Sequence, residues 1–248
     1  MFARLFSKKD TGSDRAPVGP PPSSALTRWL RQGVQMWICP LCRVEHKADR
    51  EFIWHFSEEG ALDDEQVAQL TRARGFCAEH AGMLELIDRQ AGSMLGMSTV
   101  YGDLFEGIVA DLDGLDPGDR LETATCPACV NREGAVDRNA GYLLSLLTDG
   151  TGFADRFGRS PGLCFRHFGL VWDTGGPADA RSLLLDVQRR SSARLAADLQ
   201  EFIGKQGVEV DAEPTGAEQE AWRRAVCATA GWPAPAGPAS VPEHQLGR

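Results

Sequence analysis

The 248-residue chain has no long uninterrupted apolar run, so no bilayer-spanning helix is expected. Its start, MFARLFSKKDTGSDR, has no apolar h-region, which argues against a secretory signal. An excess of basic residues is also missing. The formal net charge is -9 at pH 7, whereas a general nucleic-acid binder needs a basic face to neutralise phosphates. No stretch alternates apolar and polar residues long enough to mark a strand. No nucleophile elbow, phosphate loop or HExxH motif is read in the chain, so hydrolytic catalysis has the least support. The seven cysteines are too few for a disulfide-packed scaffold. A protein of the reducing cytoplasm is the expectation, where paired cysteines more often hold metal than form disulfides.

What is present is helical punctuation and a 42% apolar fraction, enough for a core. Residues 43–58 are charged and aromatic without Gly or Pro. Asp63 to Arg74 opens acidic and closes basic, as a helix dipole favours. Val100, Leu104, Ile108 and Val109 in 98–112, and Leu184, Val187, Leu195 and Leu199 in 179–204, recur at helical spacing. Residues 10–24 and the end from about residue 233 are rich in Pro, Gly, Ser and Ala, and read as disordered. The N-terminal arm carries Arg4, Lys8 and Lys9 beside Phe2, Leu5 and Phe6. It could serve as a short amphipathic contact for an anionic membrane surface or acidic partner, although a solvated tail is the plainer reading.

The cysteines are regular. Cys39-Pro40-Leu41-Cys42 is followed by Gly75-Phe76-Cys77-Ala78-Glu79-His80. Adding 87 to every number lands on Cys126-Pro127-Ala128-Cys129 and then Gly162-Leu163-Cys164-Phe165-Arg166-His167. The fold class expected is all-α: two duplicated helical units packed together, plus a C-terminal helix and disordered termini. The divisions are a basic, Pro-rich arm at 1–24, a first CPxC/GFCxxH unit at 25–116 and a second CPxC/GLCxxH unit at 117–207. A C-terminal helix at 208–232 and a tail at 233–248 complete the chain. A long helix is expected after each CxxH.

Three thiolates and an imidazole are the donors that a tetrahedral structural zinc takes, commonly with a CxxC knuckle supplying two. The candidate ligands are Cys39, Cys42, Cys77 and His80 for one ion, and Cys126, Cys129, Cys164 and His167 for a second. Identical spacing in both units leads to the expectation that each unit closes its own site. Pro40 and Pro127 suit early helical positions, and Gly75 and Gly162 allow a tight turn before the second ligand pair. His46 and Glu133 are equivalently placed and could ligate or support a ligand, although a solvated helix position is the plainer reading. His55 reads as a packing residue, Cys227 as packed in the C-terminal helix, and His244 carries no signal. Cys3His also suits an iron–sulfur cluster, in which histidine replaces a cysteine on one iron. A redox CxxC at Cys39 and Cys42 is a third reading, but it leaves Cys77 and His80 without a role.

These tandem CPxC…GxCxxH units, with LQEFIGK at 199–205 and EAWRRA at 220–225, resemble a family of uncharacterised bacterial proteins, a domain of unknown function. The likeness covers approximately residues 36–232. It implies the duplication and the helical fold, but no activity. The function expected is a metal-binding scaffold or interaction protein for a protein partner that the sequence does not name, with no catalytic residues assigned.

Overall fold

The structure, a computed structural model, describes residues 38–59, 63–91, 95–205 and 216–232. The N-terminal arm, the first residues of the first unit, residues 208–215 of the expected C-terminal helix, and the tail with His244 lie outside the described residues. Among those described there are nine α-helices and no strand. No helix among them is long and apolar enough to cross a membrane.

Four helices carry the candidate ligands at their starts: α1 (Pro40–Glu58), α3 (Ala78–Ala91), α5 (Pro127–Thr148) and α7 (Phe165–Thr174). Between them lie α2 (Asp64–Arg72), α4 (Leu95–Asp113) and α6 (Phe153–Arg159). The long α8 (Ala178–Lys205), a 3-10 turn (Ala217–Glu220) and α9 (Ala221–Ala230) follow. The sequence signals account for the ends. Asp63 caps α2 by accepting from the Glu65 and Gln66 amides, satisfying donors the first turn leaves open. Pro40 and Pro127 open α1 and α5, where a missing N–H costs nothing. The long helix expected after each CxxH is 14 residues in α3. In α7 it is only 10 residues, stopped by Gly175 and Gly176 at φ +79° and +129° and by Pro177.

The organising contact is between α1 and α5, which run antiparallel. Asn131, near the start of α5, donates to the Ala48 carbonyl midway along α1. The first turn of α1 (Cys39, Leu41, Cys42, Val44) shares a core with the far end of α5 (Leu143, Leu144, Leu146, Leu147) and with α6, α7 and α8. The second half of α1 (Ile53, Phe56) shares the other core with the start of α5 (Cys126, Ala128) and with Leu70, Leu84 and Leu104. Each hydrophobic cluster therefore draws on both halves of the sequence. Ile53, Phe56, Leu143 and Leu184 are wholly buried, each contributing roughly 1.5–3 kcal/mol by leaving water.

Of the apolar residues read as helix faces, Val100, Leu104, Leu184 and Val187 are buried. Leu195 and Leu199 are half-buried, while Val109 is exposed. The last lies nine residues beyond Val100, and nine residues at 100° each turn it to the opposite side of α4. At the far end, Arg224 on α9 pairs with Asp198 on α8 at 2.7 Å, and Lys205 with buried Glu218 at 2.7 Å. These contacts fix α9 so that Gly231 and Trp232 arrive beside Cys42.

Candidate metal centres

Each ligand pair occupies a helix N-terminus. The carbonyls of Cys39, Cys77, Cys126 and Cys164 accept the first-turn amides of Arg43, Ala81, Val130 and Phe168. The second ligand of each pair follows three residues later, on the same face of the first turn. Two helix N-termini converge on each group, and their first-turn amides and positive dipole ends favour thiolate over thiol. The left-handed turns at Gly75 (φ +104°) and Gly162 (φ +76°) aim the CxxH pairs inward. Gln188 braces the second turn, accepting from the Leu163 amide (3.1 Å) and donating to its carbonyl (3.0 Å). Tyr101, 87 residues earlier, is hydrogen-bonded to the Phe76 backbone in the first.

The pairing within each unit expected from the sequence is overturned. One group is Cys39, Cys42, Cys164 and His167; the other is Cys77, His80, Cys126 and Cys129. Each CxxC meets the CxxH of the opposite half, because antiparallel α1 and α5 place the start of each beside the distant end of the other. We call these centre A and centre B. In each, the four donor atoms lie within 4.8 Å of one another.

In centre A, His167 Nδ1 is 3.4 Å from Cys39 Sγ, 3.4 Å from Cys42 Sγ and 3.3 Å from Cys164 Sγ. Cys42 Sγ lies 3.7 Å from Cys164 Sγ. In centre B, His80 Nδ1 is 3.2, 3.6 and 3.5 Å from the sulfurs of Cys77, Cys126 and Cys129. Cys77 Sγ lies 3.8 Å from Cys129 Sγ. A tetrahedron with metal–sulfur bonds of about 2.3 Å and metal–nitrogen bonds of about 2.0–2.1 Å sets sulfurs roughly 3.8 Å apart and sulfur and nitrogen roughly 3.5 Å apart. The donor set and its spacing fit one ion of that size in each centre.

Without a cation, three thiols at this spacing cannot all ionise. In centre A, Cys164 is held far below the ordinary thiol range by hydrogen bonds from Cys39 and Cys42. Burial pushes Cys39 well up, and Cys42 rises to about 12, chiefly because its proton is held between it and the Cys164 thiolate. In centre B, burial raises Cys77, but the His80 backbone amide and ring outweigh it and bring the thiol down to about 7. Cys129 is pushed up to about 12, first by burial and then by Cys77. A dication would remove this competition by neutralising the thiolates together.

The surroundings support the two donor sets unequally, since only His80 has a hydrogen-bond partner at its outer ring nitrogen. His80 Nε2 donates to Asp49 at 3.0 Å, fixing the tautomer that leaves Nδ1 free for a metal. His167 Nε2 faces Glu45 at 3.8 Å. Arg132 reaches Asp49 (3.3 Å), Glu79 (3.0 Å) and Cys129 Sγ (3.8 Å). Arg166 forks onto Glu45, and the Trp232 amide donates to Cys42 Sγ at 3.4 Å. Both arginines supply positive charge beside a group that would carry one net negative charge around a dication. All four residues of centre A are buried, whereas Cys77 and Cys129 of centre B are half-buried.

Of the remaining sequence candidates, His46 is half-buried beside Glu45 and Asp49, outside both groups, and burial lowers its pKa. Glu133 is exposed, as its reading as a solvated helix position expects, whereas His55 is exposed too and the packing role read for it is not seen. Cys227 is half-buried in α9. The supporting groups that sequence reasoning missed are Asp49, Glu45, Arg132 and Arg166. Glu45 and Asp49 stand three and seven residues after Cys42, on the same helix face, which was the available signal. Gly158-Arg159-Ser160-Pro161-Gly162 does spell the letters of a nucleophile elbow, which the sequence reading passed over. Here Ser160 is buried, donates to the Phe157 carbonyl at 2.8 Å and accepts from the Gly162 amide at 3.1 Å. No strand leads into it, and its role is to shape the turn before Cys164.

A chain that is helical throughout its described elements, with two interlocked Cys3His groups, is the class that fold and site define. Residues 35–234 match a family of unknown function, DUF6062, and the chain belongs to it. No curated protein and no solved structure matches the chain.

Proposed function

We propose that the chain binds two metal ions, zinc by preference, one in each crossed Cys3His centre, and uses them to hold a helical scaffold for a protein partner. The observation carrying this reading is the placement of six thiols and two imidazoles in two groups of four at four helix N-termini, each with its donor atoms within 4.8 Å of one another. The packing favours a single ion over a polynuclear iron–sulfur cluster. A cluster spreads its protein ligands over several irons with sulfide between them, whereas here four donors converge within 4.8 Å. Cys39, Cys42, Cys164 and His167 would hold one ion, and Cys77, His80, Cys126 and Cys129 the other. Four donors from protein saturate tetrahedral zinc and leave no position for a reacting water, which supports a structural role. Elemental analysis and an absorption spectrum of anaerobically purified protein test the reading. Zinc near two per chain without visible bands supports it; iron, sulfide and a brown colour replace it with an iron–sulfur protein.

A further inference from the structure

Offsetting the chain by 87 residues pairs Glu45 with Arg132 and Glu79 with Arg166, so two positions flanking the ligands carry opposite charges in the two halves. Residue 45 or 132 stands three residues after its CxxC; residue 79 or 166 stands inside its CxxH. In centre A the two positions hold Glu45 and Arg166, joined through Oε1 and Nη1 at 2.8 Å. In centre B they hold Arg132 and Glu79, joined at 3.0 Å. Both crossed centres thus place opposite charges together. Exchanging the CxxH helices between centres would set Glu45 against Glu79 and Arg132 against Arg166.

We infer that these four residues guard the crossed pairing that the antiparallel packing sets up: they are positioning residues that penalise the alternative match of CxxC with CxxH. The ligands cannot make that choice, because both CxxC and both CxxH motifs present the same donors at the same spacing. Each bridge has one partner withdrawn from water. Glu45 is 9% exposed against 52% for Arg166, and Arg132 is 19% exposed against 61% for Glu79. A like charge set against the withdrawn member would be relieved only in part by hydration, and in the Glu45–Glu79 match the second carboxylate would also face the thiolates, with Arg132, 3.8 Å from Glu45, as the remaining counter-charge. Charge pairing of this kind fixes register through the cost of the wrong arrangement as much as through the strength of the right one.

The inference rests on the metal reading, and full-length protein loaded with 113Cd2+ tests both. Heteronuclear correlation from each cadmium to cysteine and histidine protons identifies the four ligands on each ion. Wild-type protein should show Cys39, Cys42, Cys164 and His167 on one ion and the remaining four ligands on the other. The neutral variant Glu79→Gln/Arg166→Gln should keep both ligand sets. The reversed variant Glu79→Arg/Arg166→Glu makes both observed bridges repulsive and both alternatives attractive. It should lose at least one crossed set, by ion loss or by re-pairing. Reversed protein holding both crossed sets with wild-type affinity overturns the inference, and so does equal loss in the neutral and reversed variants. Wild-type protein that takes up no ion refutes the metal reading itself, a result distinguishable from either of these.

Discussion

His80 and Asp49 meet at 3.0 Å, with both side chains almost entirely out of water, and they come from helices whose own cysteines serve different centres. Asp49 stands on α1 with Cys39 and Cys42 of centre A, yet it orients the imidazole of centre B. Burial alone would lower the His80 pKa, but the Asp49 hydrogen bond and charge raise it to about 9. Metal-free His80 is then protonated at neutral pH, and an arriving ion must displace that proton.

The sign of the pH dependence follows. The stabilisation of metal-free protein by the His80–Asp49 pair is fully present below the ordinary histidine value of about 6.5. It is lost as pH rises through about 9. Metal affinity at centre B should run the other way, strengthening as pH climbs toward about 9. Asp49→Asn should flatten that dependence and weaken binding at centre B by about 10–100-fold, leaving centre A near its original affinity. Competition titrations against a chromogenic chelator between pH 6 and 9 would measure both effects.

Ligand pairing can be read by counting ions. Cys39→Ser with Cys164→Ser damages centre A alone and should leave about one ion per chain. Cys39→Ser with Cys77→Ser damages both centres and should leave close to none. Pairing within each half reverses the two results, so metal content of the purified variants is decisive.

The thiols should distinguish the centres once metal is removed. With metal bound, six cysteines should alkylate slowly and Cys227 independently. After chelation Cys77 should react first, because it is half-buried and its pKa lies near 7. Its rate should rise through pH 7 as the thiolate forms, whereas Cys129, at about 12, should lag throughout the neutral range. Cys164 should label slowly despite its thiolate character, because it is 1% exposed. Mass spectrometry of timed samples would give the order; fast labelling of Cys39 in metal-loaded protein would contradict a saturated centre.

Removing the ions should also cost structure. Each centre joins two helix starts, and centre A also receives the Trp232 amide that follows α9. Circular dichroism before and after a strong chelator should show lost helicity and a lower Tm. An unchanged melting curve after verified metal removal would exclude a structural role.

The helices and all eight donors were legible because their signals are local: Pro after Cys, Gly before the CxxH, apolar spacing near 3.6. Which pair meets which is not local. It depends on α1 and α5 running antiparallel, a packing outcome that motif spacing does not encode. Attention to histidine as a metal donor singled out His46, whereas Glu45 and Asp49 on the same face make the contacts. The sign change from Glu45 to Arg132 and from Glu79 to Arg166 was visible in the sequence, but it acquires meaning only when the helices are brought together.

The crossing also imposes an order on synthesis. Centre B is complete once Cys129 has been made, 49 residues after His80. Cys42 has to wait for His167, 125 residues downstream, or roughly 6–25 s at about 5–20 residues per second. Throughout that interval Cys39 and Cys42 lack their partners, and only in its last part, after Cys129 has been made, can centre B close beside them. Cys39 and Cys42 are thus made before Cys77 yet joined by their partners after it, and newly made chains should be most open to oxidation at this pair.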